Sequence, residues 1–442
     1  MDAIALVDDL RARVGGTVLA ADDDGWDEAR APWARQVLQR PVAVVTAADA
    51  IDVATVLDVA RAHGATVAVQ PTGHGAHDAL DGAIVLRMGA FDGVEVDVET
   101  RTARVGAGVL VGDLLAALDG TGLVAPSGSS RIVSVAGLVL GGGHGWLSRL
   151  GGLGGQWLRR AHVVLPDGAH RWIDDADPAM RLLRGAGGLV AIATELELDL
   201  LPVADLRGGA LAFASEAARV VLLAASELAT AAPGVALSID LLAMPDVPAL
   251  PEAIRGRSWT SVHAVLADVD DAVLDGIRTA AHPIADAIAP IAPGALHAIA
   301  GDPEEPGAAA GWSAFAPSLD DATIDAIVRA RADPSLAAIV AIEVRLLGAM
   351  PAPLPTIVPA PSADWLVHCI APIPPGGDGA TQRSAVARLA ALLAPVTVDA
   401  TLPTFLGDAG LERALPEDAL DAVRAWRAEH DGDVLHPSRL PR

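Results

Sequence analysis

The chain contains no lysine, no asparagine and no tyrosine, and its only cysteine is Cys369. All 31 basic residues are therefore arginine. The first gap excludes lysine Schiff-base chemistry, the second N-linked glycosylation, and the third a tyrosine acting as a base. A lone thiol excludes intramolecular disulfides and thiolate metal clusters. Aromatic residues are scarce, at 3%. Although 52% of residues are hydrophobic, alanine supplies much of that figure, and no apolar run is long and uninterrupted enough to span a bilayer. The opening MDAIALVDDLRARV is acidic and amphipathic rather than a basic leader before an apolar core, so a soluble, cytoplasmic protein is expected.

What is present is acidity and length. The net charge is -25, which argues against nucleic acid or an anionic membrane as partner, since phosphate attraction needs basic patches. A chain of 442 residues is long enough for two or three domains. No H-x-x-x-H or H-E-x-x-H occurs, so no metal site is expected, and no G-x-S-x-G elbow supports a serine hydrolase.

Two glycine-flanked stretches organise the rest. SSRIVSVAGLVLGGGHGWLSR carries the triplet Gly141, Gly142 and Gly143, followed by Gly145 and Trp146. A run without side chains lets backbone approach another molecule closely, and free N–H groups there can bind phosphate oxygens. Upstream, VAVQPTGHGAHD centres on Gly73-His74-Gly75. Together the two loops are read as gripping one dinucleotide, although neither a G-x-G-x-x-G helix opening nor a Walker-type loop is present.

Around them the pattern is a β-α-β unit: strand 42–45, helix 48–63, strand 66–70. Thr46 with Asp49 reads as a capping box and Gly64 as the stop. Short strands follow at AIVLRM, VEVDVET and ARVGAGV, then a helix over 111–118 and a hairpin turning at Asp167-Gly168. A helix over 178–184 precedes a long strand running to Pro202. Beyond about Leu206, strand-like LAFA, ALSIDLLAM, SVHAVLADV, AIVAIEVRLLGAM and DWLVHCIAPI alternate with helical segments over 215–229, 271–289, 319–332 and 382–395. GDPEEPGAAAGW reads as a loop. The expected fold class is α+β, with a mostly antiparallel second sheet covered by helices. The expected division is 1–203 (core 40–202), 204–400, and a C-terminal segment 401–442, with a helix over 417–430, packing back on the first part.

From Arg40 to Pro202 the chain resembles the FAD-binding domain of the vanillyl-alcohol-oxidase and p-cresol methylhydroxylase flavoproteins. It is most similar to the berberine bridge enzyme-like branch in its bacterial form. Four pieces in the family's order carry this: VQPTGHGA; ARVGAGV with GLVAPSGSS; VSVAGLVLGGGHGWLSR; and VVLPDG with LLRGAGG. The second half fits more weakly, through AMPDVPALPEAIRG and VRLLGA.

The resemblance implies a two-subdomain FAD-binding domain and FAD as cofactor. It implies contacts from Thr72, Gly73, His74, Gly75 and Ala76, from Ser130, and from Val135, Ala136, Gly137, Gly141, Gly142, Gly143, Gly145 and Trp146, with Ile192 at the adenine end. His74 matches the family's covalent attachment point to the flavin 8α-methyl. Ser130 stands where many relatives carry a second, cysteine link, so a second bond is not expected. The family's Tyr-x-Asn-Phe segment corresponds to Leu402-Pro403-Thr404-Phe405, which removes its tyrosine.

The implied activity is a flavin oxidoreductase using O2, taking hydride from a C–H beside a hydroxyl or amine of a sugar-like or secondary-metabolite substrate. The alternative is a flavin-binding protein of the same fold without redox turnover. The base is expected from the second sheet. Glu343 and Arg345 share a strand face and are either base and anchor or an ordinary ion pair. Asp240, in LSIDLL, is a further acidic candidate because an apolar setting suits a base. His368 and His263, flanked by apolar residues, read as core histidines or pocket residues, and His144 either faces the flavin or packs under Trp146.

Overall fold

The computed structural model describes residues 1–441 except Ala249 and Ala349, so one residue in each of the two weaker resemblance segments lies outside the described residues. The β-α-β unit builds a four-stranded sheet in the order Thr17–Leu19, Ala43–Thr46, Ile84–Arg87, Val67–Val69. Its last three strands run parallel and the first is antiparallel. The connecting helix is Ala50–His63, and it ends on Gly64 at φ +66. Its cap differs from the expected one. Asp49, not Thr46, is the N-cap, accepting from the amides of Ile51 and Asp52. Asp52 in turn accepts from Gly15, Gly16 and Ala48 at 2.8, 2.8 and 2.9 Å. A carboxylate at the helix start satisfies donors that the helix itself cannot.

A five-stranded antiparallel sheet follows, in the order Val94–Asp97, Thr102–Gly106, Ile192–Asp199, Leu158–Val164, His170–Ile173. The expected hairpin turns at Gly168, where φ is +86. One large core joins these two sheets to the C-terminal helix Glu417–Glu429. That tail touches both halves. Arg427 donates to Leu189 O at 3.0 Å, whereas Thr401 Oγ1 lies 2.6 Å from Ser313 Oγ on the second large sheet.

The second large sheet has eight strands among the described residues, all paired antiparallel. Its main path runs Ala285–Asp286, Leu206–Ala214, Ser258–Ala267, Val235–Ala243, Ala341–Leu346, Trp365–Pro372, Ala309–Ala316. The α+β architecture is thus the expected one, with two corrections. The segment 271–289 is helical only over a 3-10 turn, Asp271–Leu274, and Asp275–Ala281. His282 leaves the helix at φ 47 before Pro283, and the remainder forms two short strands on Leu206–Ala214. The loop GDPEEPGAAAGW ends early, because Ala309–Ala316 is a strand paired with Trp365–Pro372.

Alternation divides this sheet cleanly. Ile239, Leu241, Val262, Ala264, Ile342, Val344, Val367 and Cys369 face one way, into a core under the helices Ala218–Ser226, Asp321–Ala332 and Ala380–Leu393. Ile342 and Val344 are fully buried, each worth about 1.5–3 kcal/mol against exposure. Their neighbours point the other way, toward the first half of the chain.

Candidate active site

The His74 loop follows strand Val67–Val69 and is locked by neighbours. Gly73 sits at φ +79, and an added Cβ there would lie 2.7 Å from Pro32 Cβ. Trp33 N donates to Thr72 O at 3.0 Å and Ala34 N to Gly73 O at 3.2 Å. The Trp33 ring stacks on His74 with centroids 4.3 Å apart and planes 11° apart. Thr72 Oγ1 lies 3.0 Å from His74 Nδ1, while Nε2 is buried without a partner among the described residues. Burial pushes the imidazole down to about 4, so it is neutral at pH 7. Gly75 is bare: an added Cβ would meet nothing within 4 Å.

The second loop behaves differently from its expected reading as a bank of free amides. Helix Val135–Leu140 is capped by Ser134, whose Oγ accepts from Gly137 N at 3.0 Å. The amides of Gly141 and Gly143 donate to Gly137 O and Leu138 O. The His144 amide donates to Thr404 Oγ1 at 2.8 Å, and that of Gly145 to Ser148 Oγ at 2.8 Å. These groups are therefore spent inside the protein. The glycines serve close approach instead. A Cβ on Gly142 would sit 2.7 Å from Val358, and one on Gly145 would sit 1.9 Å from Ser127 O. Open backbone lies nearby at Gly128, where a Cβ would meet nothing within 4 Å. Val135, Ala136 and Ile192 are buried, Ile192 completely, and Ser130 is half-buried.

Across from this loop stands the polar face of the second large sheet. Register places Asp240 opposite Glu343 and Ser261, Ser238 opposite Arg345 and His263, and His368 opposite Glu343 and Ser313. Glu343 Oε1 accepts from Arg345 Nε at 2.8 Å and also from Arg345 Nη2. Ser238 Oγ lies 2.6 Å from Glu343 Oε1 and 3.1 Å from Asp240 Oδ1. Burial pushes the Glu343 carboxyl up, but Arg345, His368 and Ser238 outweigh it and hold it below the usual range. His263 Nδ1 is 3.3 Å from Asp240 Oδ2, and Ser261 Oγ is 3.0 Å from His263 Nε2. Asp240, Glu343, Arg345, His368 and His263 thus share one face.

The face meets the first half directly. Arg345 Nη1 is 3.4 Å from His144 Nδ1, and its guanidinium lies 5.6 Å from the Trp146 ring and 5.2 Å from Phe405. Burial, with Arg345 beside it, pushes His144 down to about 3. Burial also lowers His368, whose ring lies 5.2 Å from Phe405. Trp146 is 4% exposed, and its indole N–H is buried without a partner among the described residues.

Loop 301–307 closes the circuit. The Glu304 carbonyl accepts from Trp33 Nε1 at 3.1 Å, and its carboxylate is 3.7 Å from Arg131. Asp302 is exposed. Desolvation raises its carboxyl, with Glu343 and Asp240 acting in the same direction and Ser129 and Arg345 against it.

A family model described as an FAD binding domain matches residues 41–174. This part of the chain is an FAD-binding domain. Within and around it, 191 residues are 32% identical to (R)-6-hydroxynicotine oxidase of Paenarthrobacter nicotinovorans, over 42% of this chain and 42% of that protein. Another 33% match spans 180 residues of an FAD-dependent monooxygenase of Fusarium proliferatum, 40% of this chain and 35% of that one. The match therefore spans less than half the length of either relative. Structural likeness covers nearly everything. A crystal structure of 6-hydroxy-D-nicotine oxidase from Arthrobacter nicotinovorans gives a TM-score of 0.82 at 22% identity, over 95% of this chain and 96% of that one. The wild-type Physcomitrella patens berberine bridge enzyme-like protein gives 0.83 at 17%, over 99% of each chain. Beyond the FAD-binding domain, the whole chain thus has the fold of these flavoproteins.

Several residues of this arrangement were not singled out in the sequence. Ser238 and Ser261 had a signal, being two positions from Asp240 and His263 on their strands. Trp33 and Asp302 had none, because both sit in loops that pack only in three dimensions.

Proposed function

We propose that the protein is an FAD-linked oxidoreductase that uses O2 as acceptor and oxidises a small molecule. In this reading residues 1–203 hold the cofactor, 204–400 present the substrate, and 401–442 pack back on the first part. One observation carries it: the carboxylate- and histidine-bearing face of a sheet is pressed, through Arg345, against His144 and Trp146 of the FAD-binding domain.

The residues fit the cofactor. His74 Nε2 and Trp146 Nε1 are buried polar atoms lacking partners among the described residues, and bare backbone faces open space at Gly75 and Gly128. Thr72 to Ala76 and Ser130 to Gly137 would hold FAD, with the glycines and Trp146 behind it and His74 as the covalent attachment point. Bound FAD would supply a two-electron acceptor for hydride.

The chain's own groups then divide the work. Glu343 is engaged twice by Arg345 and held ionised, which makes it a weak base, so the pair anchors and orients. His144 and His368 stay neutral at pH 7. Asp240 makes no ion pair with arginine among the described residues. His263 Nε2 lies 3.0 Å from Ser261 Oγ and its Nδ1 lies 3.3 Å from Asp240 Oδ2, which puts the imidazole beside that carboxylate. The Asp240–His263 pair takes the substrate proton, in the role a tyrosine would need to fill in a chain that has none.

Purified protein should be yellow. After acid precipitation the colour should stay in the pellet, and His74→Ala should release it to the supernatant. A colourless protein that cannot be reconstituted with FAD overturns the reading. Flavin left in the pellet of His74→Ala overturns the attachment.

A further inference from the structure

We propose that Trp33 and Thr72 decide which nitrogen of His74 bonds to the flavin: they hold the imidazole so that Nε2, not Nδ1, takes the 8α carbon. This deepens the proposed attachment and rests on it.

The ring is held in two ways. Trp33 lies flat on one face of it, with centroids 4.3 Å apart and planes 11° apart. The indole is itself anchored. The Trp33 amide donates to Thr72 O at 3.0 Å, its carbonyl accepts from Gly307 N at 3.2 Å, and its Nε1 donates to Glu304 O at 3.1 Å. An imidazole that turns over about its Cβ–Cγ bond must pass through an upright position, and the stacked indole obstructs that passage. Thr72 Oγ1, 3.0 Å from Nδ1, then separates the two coplanar forms, because the turned ring would offer it a carbon instead of a nitrogen.

That leaves one nitrogen for a ligand. Nε2 is buried and has no partner among the described residues, while Nδ1 is engaged. The attacking nitrogen must carry its lone pair, so in this reading the single ring proton sits on Nδ1 and is donated to Thr72 Oγ1. Burial keeps the ring neutral at pH 7, as the step requires. A hydroxyl suits both ends of the reaction. It accepts from Nδ1–H before the bond forms and donates to bare Nδ1 afterwards.

The chemistry balances. One C–H bond of the flavin 8α-methyl is replaced by a C–Nε2 bond. The methyl and Nδ1 release one proton each, and the two electrons of the broken C–H bond pass into the flavin ring. O2, the acceptor already proposed, takes those two electrons and two protons as hydrogen peroxide.

The test mixes flavin-free full-length protein with saturating FAD in air, so that differences in affinity drop out. Covalent flavin is followed over time in the acid pellet. The flavin-bearing peptide is then compared, by chromatography and NMR, with 8α-histidylflavin standards linked through Nε2 and through Nδ1. The parent should match the Nε2 standard. Trp33→Leu should slow bond formation at least roughly tenfold, since misplacing a reacting atom by an ångström is that costly. Trp33→Phe, which keeps a flat ring but loses the indole N–H, should stay close to the parent. Thr72→Val should be slowed and give both linkages, whereas Thr72→Ser should keep the rate and the single product. A purely structural role for Thr72 would not change which nitrogen is bonded. Linkage through Nδ1 in the parent, a single Nε2 product at the parental rate in Thr72→Val, Trp33→Leu as fast as the parent, or Trp33→Phe as slow as Trp33→Leu overturns the inference. If Trp33→Leu does not fold, the parent's product and the Thr72 pair decide. A parent that holds FAD without bonding to it overturns the attachment itself, and this inference with it.

Discussion

Three glycines near the cleft separate packing from cofactor binding in a single experiment. At Gly145 an added methyl would lie 1.9 Å from Ser127 O, 2.5 Å from its carbon and 3.1 Å from Gly128 N. All three are backbone atoms, so no side chain can swing away. The clash is at the upper end of ordinary overpacking, about 3 kcal/mol. For a chain of this size the unfolding entropy is about 0.9 kcal/mol/K, so Gly145→Ala should lower Tm by about 3 °C. At Gly75 and Gly128 the same methyl meets no atom within 4 Å, and neither glycine has a positive φ. Those variants should change stability by less than about 0.5 kcal/mol. They should instead intrude on the cofactor, weakening FAD by about 1–3 kcal/mol, or roughly five- to 150-fold. Fluorescence titration of apoprotein with FAD, in a His74→Ala background so that no covalent bond masks affinity, measures this. If Gly128→Ala and Gly75→Ala bind FAD normally, the open backbone there does not face the cofactor.

Other consequences can be tested alongside. Arg345→Met leaves Glu343, 7% exposed, without its cation, and should cost about 3–5 kcal/mol in urea unfolding. Because Glu343 is held below its unfolded value, its contribution is present above the ordinary glutamate range and is lost as pH falls through the depressed folded value. The cost of Arg345→Met should therefore shrink as pH falls, because protonation of Glu343 removes the uncompensated buried charge. His74 is depressed to about 4, so the unfolded chain binds its proton first, and stability falls as pH drops from about 6.5 toward 4. In protein prepared without flavin, the urea midpoint should change less between pH 7 and 5 in His74→Ala, and an unchanged difference would count against the burial argument. Cys369 is fully buried with its thiol pushed up to about 12, so thiol reagents should label it only in denaturant.

Much of this architecture was legible because periodicity is local. The β-α-β unit, the hairpin at Gly168 and the alternation through Glu343-Val344-Arg345 need only spacing and turn chemistry. Several of the misses share a cause: the deciding partner lies far along the chain. Residues 309–312 read as loop because alanine and glycine carry little strand preference, and they are held by pairing with Trp365–Pro372. The glycine triplet reads as a donor surface until Leu138, Val358, Thr404 and Ser127 are placed around it. Asp49 and Asp52 were both visible, but only the fold brings Gly15 and Gly16 to Asp52 and decides between Asp49 and Thr46. The same holds for Trp33 on His74, 41 positions apart by number yet in face-to-face contact.

The two-sided sheet also ties heritable change in chemistry to change in folding. A one-residue slip of Ala341–Leu346 against Val235–Ala243 would send Glu343 and Arg345 under the helices and turn Ile342 and Val344 toward the cleft. Such a chain would lose its charges to the interior and its oil to the opening together. An insertion or deletion there cannot quietly retune specificity; it removes the molecule. Evolution of new specificity on this scaffold is thereby confined to substitutions at every second residue of these strands and to the loops that join them.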